Sequence, residues 1–243
     1  MSDSLVILFE DPHCLVVVKP AGLLTQASAT AAEEPTLEAA VRRYLNPGAP
    51  QSPYLGTVHR LDRPVSGVVL WAKTPKAARR LAEQFAAHTA AKEYWAVVEG
   101  QRPELDTKDD HDEIWDDWLL PVDPTGTVRV AAPGTASARH ALTRVRWMSA
   151  SVSELGLQPP RSWLRLWPQT GRTHQLRAQA ACRGRPIVGD RTYGAAQPFP
   201  SGIALHARAL TVRHPVLKTS MTWVAPLPAA WSEAGIVVAE PGC

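Results

Sequence analysis

The chain has 243 residues, 45% of them hydrophobic, with 26 lysines and arginines against 23 aspartates and glutamates for a formal net charge of +3. That length is enough for one sizeable α/β domain or two small ones, and no stretch approaches the ~20 consecutive apolar residues of a bilayer-spanning helix. The three cysteines, Cys14, Cys182 and Cys243, are odd in number and far apart, which argues against a disulfide framework or a zinc site and for reduced thiols.

Met1–Glu10 carries acidic residues and only the short apolar run Leu5–Phe9. It lacks the basic start and longer apolar core of a secretory signal, so a cytoplasmic location is expected. Leu5–Phe9 and Cys14–Lys19 are short, apolar and β-branched, with Asp11-Pro12 between them, and predict two paired strands. Lys19-Pro20-Ala21-Gly22 breaks the pattern. Leu37, Ala40, Val41 and Tyr44 share one face of a helix expected over about Thr36 to Leu45, ended by Asn46-Pro47-Gly48. Val68–Ala72 reads as a buried strand. Thr74-Pro75 then supplies a cap and a pre-set first residue for a helix through Phe85.

Tyr94–Glu99 is the next strand, and Thr127–Val130, Arg139–Trp147 and Ser162–Trp167 extend the sheet through hairpin-like connections. The expected class is α+β, with a mixed, largely antiparallel sheet. Between Gln101 and Gly126 lies an Asp-rich insertion, DTKDDHDEIWDDW. Its spacing fits no calcium loop, so it reads as a solvated loop and no metal site is expected. No repeat or linker interrupts the chain, and a single domain over residues 1–243 is the simplest organisation.

Three segments carry the chemistry. Thr57-Val58-His59-Arg60-Leu61-Asp62-Arg63-Pro64-Val65-Ser66-Gly67 sets an acid between two arginines beside a Pro/Gly turn. Nearby positive charge keeps a carboxylate ionised and available as a nucleophile, although such an acid also commonly just satisfies loop amides. Gln169-Thr170-Gly171-Arg172-Thr173-His174-Gln175-Leu176-Arg177 follows a strand and opens a helix that Gly184 can end, with Arg172 expected in its first turn. Such a helix start favours an anion. In Lys92-Glu93-Tyr94-Trp95-Ala96-Val97, alternation puts Lys92 and Tyr94 on one strand face. Positive charge collects in Arg60–Arg80 and Arg161–Arg191; Arg60, Arg63, Lys73, Lys76 and Arg177 are the candidate phosphate contacts.

Together and in this order the three segments resemble the RluA family of pseudouridine synthases, with its HRLD turn, K-x-Y strand and TGRTHQ-x-R segment. Glu10-Asp11, Val16–Gly22, Pro186–Asp190, Tyr193-Gly194, Leu205–Ala207 and His214-Pro215 agree, so that the resemblance covers roughly Leu5 to Leu227. It implies the pseudouridine synthase fold, a sheet with flanking helices around a central cleft. It further implies isomerisation of uridine in structured RNA, tRNA or rRNA, without any cofactor. Many family members carry a small extra RNA-binding domain before the catalytic one; here the first strand begins almost at Met1, so no separate N-terminal RNA-binding domain is expected, and the expected state is a monomer. Asp62 matches the family's essential aspartate, Tyr94 its active-site tyrosine and Arg172 the arginine that pairs with the aspartate. His59, Arg60, Arg63, Thr173, His174, Gln175, Arg177 and Ile187 are the expected substrate contacts.

Two positions depart from the family pattern. Val65 stands in place of a common threonine and removes a hydroxyl from the turn, and Gln179 replaces a common histidine. Other classes fit less well. An RNA-binding protein without turnover has no need of Asp62, Tyr94 and Arg172 together. A phosphotransferase lacks its Gly-rich loop, and a glycosidase lacks its second acid.

Overall fold

The computed structural model describes residues 5–27, 34–101, 112–148 and 160–238. The chain divides into two compact units, Met1–Lys92 with Ala207–Pro226, and Glu93–His206 with Leu227–Cys243.

In the first unit, β1 (Val6–Glu10) and β2 (Cys14–Lys19) form the expected antiparallel pair. Asp11 turns the chain between them, its Oδ1 accepting from His13 N at 2.8 Å and Cys14 N at 2.6 Å. β2 pairs with β4 (Ser66–Ala72), in which all seven residues are buried, and the two-residue strand β3 (Gly56–Thr57) pairs with β4 as well. On its other side β4 neighbours β10 (Leu205–Arg213), which carries β11 (Ser220–Val224). Gly67 sits at φ +126, where an added Cβ would lie 2.3 Å from the Ala207 carbonyl oxygen, so the close approach of β4 and β10 requires glycine there.

The helices α1 (Leu37–Leu45) and α2 (Pro75–Ala86) begin where their caps predict. Thr36 Oγ1 accepts from Ala39 N at 3.1 Å and Thr74 Oγ1 from Ala77 N at 3.2 Å. Leu37 and Val41 of α1 are buried. Tyr44, expected on the same apolar face, instead lies exposed and donates its hydroxyl to Glu10 Oε2.

The second unit is an antiparallel array in the order β5 (Ala91–Glu99), β9 (Arg161–Pro168), β8 (Arg139–Trp147), β6 (Asp112–Leu119) and β7 (Val130–Ala131). Beside it lie α3 (Gln175–Cys182), a 3-10 turn (Arg191–Tyr193) and α4 (Ala229–Glu233).

Three local expectations are corrected. Asp112–Leu119 is a strand rather than a solvated loop, paired with β8 at eight positions. Its acids meet cations across the ladder: Asp112 takes Arg144 and Arg146, both at 2.7 Å, and Asp116 faces His140 at 2.6 Å, while Trp115 and Leu119 are buried. Residues 106–111 of the insertion lie outside the described residues. The strand expected over Thr127–Val130 shrinks to Val130–Ala131, because the Asp123 carboxylate takes the N–H groups of Thr125 and Thr127 and curls the chain. Finally, α3 starts at Gln175, after Arg172, with His174 at its N-cap in left-handed geometry, φ 51; Gly184 follows its end as expected.

Candidate active site

In the first unit the Asp62 loop is fixed on both sides of the acid. Leu61 is buried, its N–H donating to Thr25 Oγ1 at 3.2 Å while that hydroxyl donates to Leu61 O at 2.8 Å. Arg63 O accepts from Gly22 N at 2.8 Å and Lys19 Nζ at 3.1 Å. Lys19 is fully buried and also donates to Pro20 O at 2.9 Å and Leu23 O at 2.6 Å. Burial pushes its ammonium down to about 7, and the Asp62 carboxylate opposes that. Three carbonyls need three donors, which an ammonium has and a neutral amine lacks. Asp62 itself is partly buried. The turn after it closes through Val65 N to Asp62 O at 3.1 Å, so the valine at 65 leaves a backbone hydrogen bond in place.

His59, expected at the substrate, is engaged by the protein. Its Nε2 accepts from Leu70 N at 2.9 Å and its ring stacks on Phe85 at 4.8 Å. Burial, with the charge of Lys92 second, pushes it down to about 3, so the ring is neutral and ties the loop to β4 and α2. Arg60 is exposed, and Arg63 is exposed with Glu34 at 2.9 Å.

In the second unit Tyr94 is partly buried on β5, opposite Leu166 of β9. The segment before α3 is organised by Gln175, which is buried. Its Oε1 accepts from Arg172 N at 2.9 Å and Thr170 Oγ1 at 2.8 Å, and its Nε2 donates to Thr143 Oγ1 at 2.9 Å. Arg172 is partly buried and donates Nε to His140 O at 2.9 Å. Arg177, a candidate phosphate contact, is buried instead and grips Asp190 through two hydrogen bonds of 2.7 and 2.8 Å. His174 Nδ1 meets Tyr193 Oη at 3.0 Å, Thr173 is exposed, and Ile187 is fully buried where it bridges to Val98. Gln179, the second departure, is an interior amide: its oxygen accepts from Thr143 Oγ1 at 2.7 Å and its nitrogen reaches Asp117 at 2.8 Å and the carbonyls of Trp115 and Ala141.

Sequence reasoning missed Lys19 as the anchor of the Asp62 loop. A lysine closing the apolar run before Pro20-Ala21-Gly22 was the available signal, since a buried lysine has to find acceptors. It also passed over Asp190, the buried partner of Arg177. The one potential metal-ligand cluster among the described residues is Asp11, Cys14 and His214. There His214 Nε2 meets Asp11 Oδ2 at 2.9 Å and Nδ1 accepts from Leu217 N at 2.9 Å, while burial pushes the Cys14 thiol up to about 12. Both ring nitrogens are thus held by the protein, and the trio is a clasp between β1–β2 and β10–β11.

Residues 13–182 match the family model for RNA pseudouridylate synthase, a span that includes the Asp62 loop, Tyr94 and the whole Gly171–Arg177 segment. The chain belongs to this family. The dual-specificity RNA pseudouridine synthase RluA of Escherichia coli is 33% identical over 224 residues, with 91% of this chain and 93% of the relative covered. The ribosomal large subunit pseudouridine synthase D of Xanthomonas campestris is 33% identical over 240 residues, and there the chain spans 66% of the relative's length. Among solved structures, human RNA pseudouridylate synthase domain containing 4 shares the fold at a TM-score of 0.70 with 22% identity, covering 97% of this chain and 95% of its own. No helix among the described residues is long and apolar enough to cross a membrane.

Proposed function

We propose that this protein converts uridine to pseudouridine in structured tRNA or rRNA, with Asp62 as the nucleophile and with no cofactor. Membership of the RNA pseudouridylate synthase family supports the reaction. The observation that carries the choice of Asp62 is its loop: a partly buried carboxylate whose two chain neighbours are pinned by Thr25 and Lys19. That is how a reacting group is held in place at low entropic cost.

The reaction breaks the N1–C1′ bond, turns the uracil and rejoins it to the ribose through C5, whose proton is lost while N1 gains one. No atom or electron enters from outside. The Asp62 carboxylate attacks C1′ or assists removal of a ribose proton, and either route needs its negative charge. Tyr94 keeps the role the family motif gives it, stacking on the base and helping the final proton leave C5. A base inside a duplex is out of reach, so the uridine arrives flipped or looped. The proposal treats the chain as one catalytic domain, a monomer acting in the cytoplasm. For Arg172 the family motif implies a counter-charge to the aspartate, which keeps the carboxylate ionised and oriented.

Asp62→Asn preserves shape and removes charge. Pseudouridine formation, read by mass spectrometry of RNA treated with purified protein, is expected to fall below detection while RNA affinity changes less than threefold. A folded Asp62→Asn protein that reacted at the parent's rate would falsify the assignment.

A further inference from the structure

The first unit contains a cleft of about 640 Å³ between the second half of α2 and the turn that joins β10 to β11, and none of the chemistry above uses it. α2 turns Arg80, Glu83, Gln84 and Ala87 toward it, one helical face at spacings of three and four. The other face of the helix is occupied: Ala77 and Leu81 are buried and Phe85 stacks on His59. Gln84 fastens the helix to the end of β10 with both halves of its amide. Its Nε2 donates to Arg213 O and its Oε1 accepts from Arg213 N, each at 2.8 Å.

Three cations, Arg80, Arg213 and Lys218, line this cleft against one carboxylate, Glu83, and that carboxylate already meets Arg79 at 3.2 Å. The fold gathers the cations rather than spreading them. Arg80 Nη1 donates to Pro215 O at 2.7 Å and Arg213 Nε to Lys218 O at 2.7 Å, so both guanidiniums are tied to the turn that carries the lysine. Lys218 itself sits in left-handed geometry at φ 64, its N–H donating to His214 O at 3.1 Å. A glycine would be less strained there, yet the turn carries a charge. Each arginine bond uses one donor of five, and within the first unit the remaining donors take no other partner among the described residues. Clustered cations with donors to spare suit phosphate oxygens. The lining offers no ring for a base to stack on: its single ring is that of His214, buried and held at both nitrogens by Asp11 and Leu217. Such a surface holds a backbone and does not read a sequence.

We propose that this cleft is a docking site for backbone phosphates of the substrate RNA away from the reacting uridine, held by Arg80, Arg213 and Lys218. The proposal rests on the RNA reading given above and adds contacts that the charge pattern of the sequence did not single out. Gln84 is the positioning residue, because it sets the end of β10 from which Arg213 projects.

The test measures affinity of the purified full chain for tRNA and for rRNA isolated from a strain lacking this gene, over a range of salt, together with initial rates. Lys218→Gln removes only a charge at an exposed turn. It is expected to weaken binding about threefold at low salt and to lower the slope of log K against log salt by about 0.7–0.9, the value of one phosphate contact. Lys218→Gln with Arg213→Gln should lower the slope by about 1.4–1.8 and weaken binding about tenfold. The loss should appear in KM rather than kcat and be equal for the two RNAs, since no base is read. Lys218→Arg should restore wild-type binding, and Glu83→Gln should tighten it about twofold by removing a repelling charge. Affinity and slope within error of wild type in both the single and the double variant would overturn the site, and that is the result expected if the cleft serves an acidic polypeptide instead. A loss confined to one of the two RNAs, or one seen in kcat at unchanged KM, would overturn it as well. A wild-type protein that binds RNA with these dependences but forms no pseudouridine would instead overturn the catalytic proposal and leave the docking site standing.

Discussion

Lys19 gives the molecule its firmest local device. A fully buried ammonium spends all three donors on Pro20 O, Leu23 O and Arg63 O, and so ties two loops together next to Asp62. Lys19→Met keeps the stem and strands three carbonyls. It is expected to cost about 1–3 kcal/mol in urea unfolding and to lower kcat at least tenfold; a variant with full kcat would show that the loop does not need this anchor. His59 gives a pH dependence with a definite sign. Its folded value, about 3, lies below the ordinary 6.5, so between these the unfolded chain binds a proton that the folded chain refuses. The stability from a neutral His59 is complete above pH 6.5 and is lost as pH falls toward 3. His59→Gln does not titrate, so its thermal midpoint should drop less than that of wild type between pH 6.5 and 4. Parallel curves would refute the assignment.

Among the elements, those whose signal is local were legible beforehand. Thr36, Thr74-Pro75 and the β-branched runs of β2 and β4 announce themselves in a few consecutive residues. The strand β6 did not, because its acids look like a solvated run until Arg144, Arg146 and His140 of β8 are placed opposite. The same reason hid Arg177, which in sequence is one more cation and in the fold is half of a buried pair. Removing one partner from such a pair leaves an uncompensated charge. Asp190→Ala is therefore expected to cost about 3–5 kcal/mol, measured by denaturant unfolding, while an exposed pair such as Arg79–Glu83 contributes well under ~1 kcal/mol. An Asp190→Ala protein within 1 kcal/mol of wild type, a threshold well below that expectation, would mean that Arg177 finds water or another acceptor. In the candidate site, the motif residues were legible as strings, but which of Thr173, His174, Gln175 and Arg177 face outward was not. That depends on α3 starting at Gln175 and burying its first residues.

At the scale of the whole molecule the small net charge of +3 says little about RNA. What matters is where the cations are placed, as with the exposed Arg60 beside Asp62 and the buried Arg177 on Asp190. Chemistry that needs no outside atom leads to one more expectation: purified protein should form pseudouridine in excess EDTA with nothing added, at a rate within twofold of that without chelator once RNA folding is controlled. An absolute requirement for a metal or nucleotide would contradict it.

The division of the chain also has a temporal side. The first unit is interrupted after Lys92 and completed only by Ala207–Pro226, which bring β10 to the side of β4. A ribosome adding about 5–20 residues per second delivers that missing piece on the order of ten seconds late. Until then β4, with all seven residues apolar or small and destined for burial, has one edge covered only by the two residues of β3. Nascent chains of this protein therefore pass through a window in which most of a sheet edge is open to chaperones or to other chains, and a transcript cut short before β10 is expected to yield a polypeptide that aggregates rather than a smaller working domain.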